Sequence, residues 1–158
     1  RQMCIRDRYY NNNLVSVMTF GKLRKSLGNT SANNQYELYR YCTKLHHSVV
    51  GSAGKLLSYF ELKYAPTKLL SYADRRYSVG NLYDKLKFKK VSDGVPGYWY
   101  FGRGNSYKRH HRFAFAKHTL HKKLKNYDPN KSEWDNMKLN GYDRIWDCEH
   151  IKYEKIYK

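Results

Sequence analysis

The string Ser48-Val49-Val50-Gly51-Ser52-Ala53-Gly54-Lys55 puts small residues at the start of a helical pattern. Small side chains let a backbone approach a ligand closely, and a helix N-terminus favours anions. The octapeptide is therefore a candidate phosphate cradle, although the same residues also suit close helix packing. Two basic clusters offer a second chemistry. Asp74-Arg75-Arg76 follows a short apolar run, and Lys108-Arg109-His110-His111-Arg112 lies between Tyr107 and Phe113. Arg75 and Arg76 suit bidentate contact with phosphate, or an ion pair within the loop. Cations interleaved with aromatics suit backbone contact plus base stacking, but edge strands also carry charge to prevent aggregation.

Metal chemistry has thinner support. His118 and His121 can share a helix face beside His110 and His111, yet two ligands do not make a site, and no metal is expected. Asp143, Asp147 and Glu149 invite a nuclease reading, but hairpin alternation puts Asp143 and Asp147 on the same side only if no bulge intervenes, so no nuclease chemistry is assigned to them.

These residues sit in a chain of 158 residues with 41% hydrophobic and 16% aromatic content, enough for one folded domain. Seventeen tyrosines bring hydroxyls that need partners at the rim of the core. The formal charge is +18, and no acid occurs from Gly94 to Tyr127, a distribution that attracts polyanions. DNA is the expected partner. Cys4, Cys42 and Cys148 form no C-x-x-C pair, which points to a reduced, cytoplasmic chain. No apolar run approaches the roughly 20 residues of a membrane span, so no membrane partner is expected. Without an initial Met, the chain reads as a fragment whose residues 1–8 are foreign or disordered.

The elements follow from periodicity. Residues 9–20 read as two strands around an Asn turn, residues 21–34 as a loop and residues 36–42 as a strand. In residues 48–64, Val49, Val50, Ala53, Leu56, Leu57, Phe60 and Tyr64 form one apolar helical face, capped by Ser48 and stopped by Pro66. Residues 68–73 read as a buried strand and 80–86 as a second helix with Ser78 as cap. Strands are expected at 89–92, 98–101 and 112–116. Ser132-Glu133-Trp134-Asp135 is a weak capping box before a helix that ends at Leu139. Residues 142–146 and 150–156 then read as a closing hairpin. One domain is expected over residues 9–127, with 128–158 as its helix-hairpin extension.

This order resembles the later part of the GNAT acetyltransferase fold, a mixed, mostly antiparallel α/β (α+β) sheet with helices on its faces. Residues 48–55 look like the GNAT Gln/Arg-x-x-Gly-x-Gly/Ala turn, with Gly51 and Ala53 matching and Ser48 in place of Gln/Arg. The resemblance implies that Val50, Gly51, Ser52, Ala53, Gly54 and Lys55 would hold the pyrophosphate of acetyl-CoA. Asn81-Leu82-Tyr83-Asp84-Lys85-Leu86-Lys87-Phe88 looks like the GNAT helix in which the Asn faces the cofactor and the Tyr protonates the leaving thiolate. Asn81 and Tyr83 match, whereas Lys87 replaces the usual Gly. Glu37 is the candidate base.

A second resemblance runs from about Tyr9 to Tyr153. It rests on Leu14-Val-Ser-Val-Met-Thr-Phe-Gly-Lys22, Glu37-Leu-Tyr-Arg-Tyr-Cys-Thr-Lys-Leu45, Ser48-Val-Val-Gly51, Ser71-Tyr-Ala-Asp-Arg-Arg76, Gly80-Asn-Leu-Tyr83, Tyr98-Trp-Tyr100, His111-Arg-Phe113 and Tyr142-Asp-Arg-Ile-Trp-Asp-Cys148. In this order they look like the C-terminal region of phage proteins labelled Hef-like or homing-endonuclease-like. It implies an upstream nuclease domain in the full-length protein and a phage-infected bacterial cytoplasm.

Three readings stand. The first is a DNA-binding accessory domain without catalysis or cofactor, contacting nucleic acid through Arg75, Arg76, Lys108, Arg109 and Arg112. The second is an N-acetyltransferase using acetyl-CoA with Tyr83 and Glu37. The third is a structural domain that packs on the nuclease.

Overall fold

The computed structural model describes residues 3–30, 32–102 and 108–157. The chain divides into two compact units: Arg1–Gly94 with His150–Lys158, and Val95–Glu149. These limits differ from the expected boundary at residue 127, because the last strand returns to the first unit. Residues 3–8, expected to be foreign or disordered, belong to a paired strand.

The first unit is a six-stranded sheet. Its strands are β1 (Met3–Tyr10), β2 (Asn13–Lys22), β3 (Gln35–Thr43), β4 (Lys68–Asp74), β5 (Lys89–Asp93) and the C-terminal strand His150–Ile156. Their spatial order is β1, β2, β3, β4, the C-terminal strand, β5. All neighbours are antiparallel except β3 and β4. Asn11 and Asn12 turn the first hairpin with φ of 46° and 59°, the conformation a tight turn demands.

Helix α1 (Ser52–Tyr64) covers one face of this sheet with Leu56, Leu57 and Phe60. Phe60 stacks on Phe20 at 3.7 Å between centroids and meets Tyr36 edge-on. Burying one such ring stabilises the fold by about 1.5–3 kcal/mol. The helix starts later than expected: Gly51, not Ser48, is the N-cap, with φ 70°. Ala65, just before Pro66, ends it in the left-handed region. Helix α2 (Asn81–Lys85) places Leu82 and Tyr83 on the same core, and Tyr83 stacks on Tyr153 at 4.4 Å. Ser78 accepts from the Gly80 amide, one step before the helix.

The opposite face is covered by the chain after β2. Leu23 is buried there, and the Arg24 guanidinium pairs with Glu37 and lies over Tyr39 and Tyr72.

The second unit holds a three-stranded sheet of β6 (Tyr98–Gly102), β7 (Arg109–His111) and β8 (Tyr142–Trp146), in the order β7, β6, β8. Helix α3 (Glu133–Leu139) is capped as the weak box implied, the Ser132 hydroxyl accepting from the Asp135 amide at 3.1 Å. Tyr100, Phe115, Leu120, Leu124 and Met137 form the core. Residues 112–116 do not form the expected strand. Arg112–Phe115 is a 3-10 turn that drops Phe115 into this core, where its ring meets Tyr100 at 5.7 Å.

The closing strands β8 and β9 (His150–Ile156) form where expected but pair elsewhere, β8 with β6 and β9 with β4 and β5. Asp147 explains the divergence: its carboxylate accepts from the Gly97 and Glu149 amides, which ties the exit of β8 to the entry of β6.

Lys87 leaves α2 with φ 61°, and the Phe88 amide returns to the Tyr83 carbonyl at 2.9 Å. The tight exit thus forms on a residue with a Cβ, at a cost of roughly 1–2 kcal/mol. Lys87→Gly is expected to stabilise the protein by about 1 kcal/mol in urea unfolding. A loss of stability would show that the side chain contributes more than the backbone strain costs.

Candidate functional site

The β3–β4 pair is parallel and short. Only Gln35 to Leu38 align with Lys68 to Ser71, although β3 continues to Thr43 and β4 to Asp74. The register of β2 against β3 passes from Thr19–Arg40 to Phe20–Leu38, so Tyr39 is the extra residue of a bulge. Tyr36 and Leu38 therefore face the core before the bulge, and Tyr41 faces it afterwards. Gly21 permits this, since a Cβ there would meet the Tyr39 ring at 2.4 Å. Beyond Leu38 the two strands part and leave a wedge.

Two sets of contacts border that wedge, one at the junction and one at the start of α1. At its apex Ser71 donates to the Leu38 carbonyl, and its oxygen lies 2.9 Å from the Tyr83 hydroxyl. Burial raises the Tyr83 pKa above the ordinary tyrosine value, with the Ser71 bond working the other way, so the phenol keeps its proton at neutral pH. On the helix side, Tyr41 and Ser52 share a hydrogen bond of 2.5 Å that ties β3 to the start of α1. Gly51 leaves open space where a Cβ would stand, and the Ala53 and Gly54 amides open the helix without intrahelical acceptors. Beside this turn lies a hollow of about 490 Å³ lined in part by Arg8, Tyr10, Val15, His46, His47 and Val50.

Of the residues suggested by sequence, Tyr83 lies at the β3–β4 junction on Ser71, whereas Gly51, Ala53 and Gly54 open α1, which Tyr41 and Ser52 tie to β3; Val50 and Lys55 are exposed beside that turn. Ser52 is buried and occupied by Tyr41. Asn81 is exposed at the first position of α2. Glu37 does not join them. It is 0% exposed on the other face of β3, where its carboxylate pairs with the Arg24 guanidinium and accepts from the Arg24 amide. A carboxylate locked in that way cannot reach the wedge as a base.

The arginines after β4 are engaged by carboxylates. Arg76 forms a fork on Asp74 at 2.6 and 3.1 Å, and Arg75 meets Asp93 at 2.5 Å. In the second unit, Lys108, Arg109 and Arg112 are exposed, with the Arg112 guanidinium 5.2 Å from the Phe113 ring. Arg103 and Tyr107 lie outside the described residues. Among the described residues no three His, Cys, Asp or Glu side chains come together as metal ligands, and no helix is long and apolar enough to cross a membrane.

Sequence reasoning missed two features. One is the Arg144 guanidinium, which lies over Tyr98 and Trp134 at 4.3 and 4.4 Å and donates to the Tyr100 hydroxyl. Tyr100 in turn donates to Glu133 at 2.7 Å, and burial first, then Glu133, pushes its pKa far above the usual value. The other is Trp99, on the side of β6 away from this core. Strict alternation along Tyr98-Trp99-Tyr100-Phe101 was the available signal.

The chain superposes on solved acetyltransferases over 98% of its length. A putative acetyltransferase of the GNAT family from Desulfovibrio desulfuricans matches with TM-score 0.54 and 11% identity, over 98% of this chain and 68% of that one. An N-acetyltransferase from Staphylococcus aureus Mu50 matches with TM-score 0.51 and 14% identity, over 98% and 67%. At such identities the likeness shows the fold, which is GNAT-like. No protein-family model matches the chain, and no curated protein matches it in sequence.

The Asp74–Arg76 fork has a pH signature. The fork bond to Arg76 holds the Asp74 pKa at about 2, below its ordinary 3.8. A depressed carboxylate stabilises the fold above the ordinary value and loses that contribution as pH falls towards the folded value. Asp74→Asn is therefore expected to flatten the acid limb of thermal stability between about pH 4 and pH 2. An unchanged limb would assign the acid sensitivity to other carboxylates.

Proposed function

We propose that this GNAT-like chain is a non-catalytic DNA-binding domain, serving a homing-endonuclease-like phage protein as the motif resemblance implies. The observation that carries the reading lies in the Val95–Glu149 unit. There the exposed cations Lys108, Arg109 and Arg112 stand among exposed rings in a stretch without acids from Gly94 to Tyr127. Arginines deliver the phosphate contacts that dominate affinity, and adjacent rings add sequence-tolerant contact. The confinement of Glu37 to the far face supports the absence of acyl transfer.

Arg109→Glu with Arg112→Glu is expected to weaken binding to a mixed-sequence duplex in fluorescence anisotropy. It should also lower the slope of log affinity on log salt by about one per lost phosphate contact. Unchanged affinity at low salt would overturn this reading. The equivalent reversal at Arg75 and Arg76 is expected to act more weakly, since Asp93 and Asp74 already engage them.

The β3–β4 wedge favours a second reading, acyl-CoA binding. The amides of Ala53 and Gly54 behind a left-handed Gly51 fit a pyrophosphate, and the Tyr83 phenol retains a proton at the apex. Acetyl-CoA would bring an activated acyl thioester; the chain would supply the amide cradle and the Tyr83 proton. Calorimetry with acetyl-CoA is then expected to show heat that Gly51→Val abolishes, and no heat with the parent chain would dismiss the reading.

A further inference from the structure

Alternation along the strands of the second unit separates two faces. Tyr98 and Tyr100 of β6, His110 of β7 and Arg144 of β8 turn towards the core formed with α3. Trp99, Phe101, Arg109, His111, Asp143 and Ile145 occupy the other face. In register, Trp99 stands between His111 on one side and Ile145 on the other. The Trp99 and His111 rings meet edge-to-face at 5.0 Å, and His111 continues to Phe113 at 4.9 Å.

Trp99 is 39%, Ile145 40% and Phe113 71% exposed. An apolar row of this kind, open on a small sheet, marks a binding surface more often than it serves stability. Its charge identifies the occupant. Arg109 stands on the same face opposite Phe101, and exposed Lys108 and Arg112 border His111 and Phe113. One carboxylate, Asp143, lies at the far end of the face, across Phe101 from Arg109. A protein partner would be met by side chains of many kinds. An anionic chain that also carries flat π-faces is met by rings between cations, and that combination belongs to nucleic acid.

The rings further select the strand state. In a duplex the base faces are stacked on one another and out of reach, whereas an unpaired strand can splay its bases onto aromatic side chains. We infer that the outer face of β6, β7 and β8 is a stacking platform for unpaired nucleic acid, with Trp99 and Phe113 receiving bases and Arg109 and Arg112 the adjoining phosphates. The inference rests on the proposed nucleic-acid function and deepens it by naming the substrate form. No sequence preference follows, because every base offers a π-face.

The test compares a labelled oligothymidylate with a duplex of mixed sequence, using the full 158-residue chain at low salt. The parent chain is expected to bind the oligothymidylate more tightly than the duplex. Trp99→Ala and Phe113→Ala are each expected to weaken oligothymidylate binding about 5- to 150-fold, the range of one lost stack. Duplex binding should change less than about threefold, and Trp99→Tyr should restore most of the strand affinity. Both substitutions leave the buried core intact, and an unchanged thermal melt checks that the fold is kept. Equal affinity for both forms, or equal loss in both on Trp99→Ala, overturns the platform and leaves DNA binding standing. Binding to neither form overturns the proposed function itself. A change in self-association on Trp99→Ala with strand affinity unchanged also overturns the platform, assigning the face to a second copy.

Discussion

The parallel contact between β3 and β4 is the constraint on which the first unit turns. Four paired residues hold the strands together, and the Ser71 hydroxyl closes the junction onto the Leu38 carbonyl. Past that point a parallel pair would continue if β3 stayed regular. The extra residue at Tyr39 prevents it, turning Tyr41 inward and sending the strand towards Ser52. Tyr41, beyond the bulge, bonds Ser52 in the first turn of α1, and Tyr83 bonds Ser71, which is buried at the junction. One irregularity in a strand thus stands where the parallel pairing ends and where β3 is tied to the start of α1.

Much of this was legible from periodicity. The apolar spacing of Leu56, Leu57 and Phe60 gave the buried face of α1, and Asn11-Asn12 gave the first turn. The bulge at Tyr39 was not legible, because a bulge is a property of two strands in register and not of one strand's pattern. The same limit hid the role of Glu37. Its partner Arg24 lies in a segment without periodicity, which covers the second face of the sheet. The separation of β8 from β9 had a local cause, the Asp147 carboxylate holding two amides, and alternation carries no trace of that. Phe113 and Phe115 have the alternate spacing of a strand, yet Arg112–Phe115 is a 3-10 turn in which one ring is exposed and the other buried by turning, not by pleating.

The two units divide the chemistry. In the first, Arg24, Arg75, Arg76, Lys68 and Lys155 each meet a carboxylate. Its wedge has polar hydroxyls and amides but no carboxylate among the residues that line its apex. In the second, Arg144 is absorbed into the aromatic core, while among the described residues Arg109 and Arg112 are exposed, Arg112 lying over the rings of Tyr98 and Phe113. The wedge of hydroxyls and amides and the sheet of exposed rings and cations therefore offer different chemistries, and the proposed function follows the second.

The ends of the Val95–Glu149 unit meet within the first. Gly94 donates to the His150 carbonyl at 2.7 Å, and β5 and β9 lie side by side in antiparallel register. Along the chain, residues 95–149 thus come between two antiparallel neighbours of one sheet. For a growing chain this matters, since β9 cannot enter the sheet until everything between has been made. An unstructured span of that length would oppose closure with an entropy that rises with the logarithm of its size. A span that has already folded with its two ends together removes most of that opposition. The order of synthesis then favours a sequence in which the inserted unit condenses first and the six-stranded sheet is completed last.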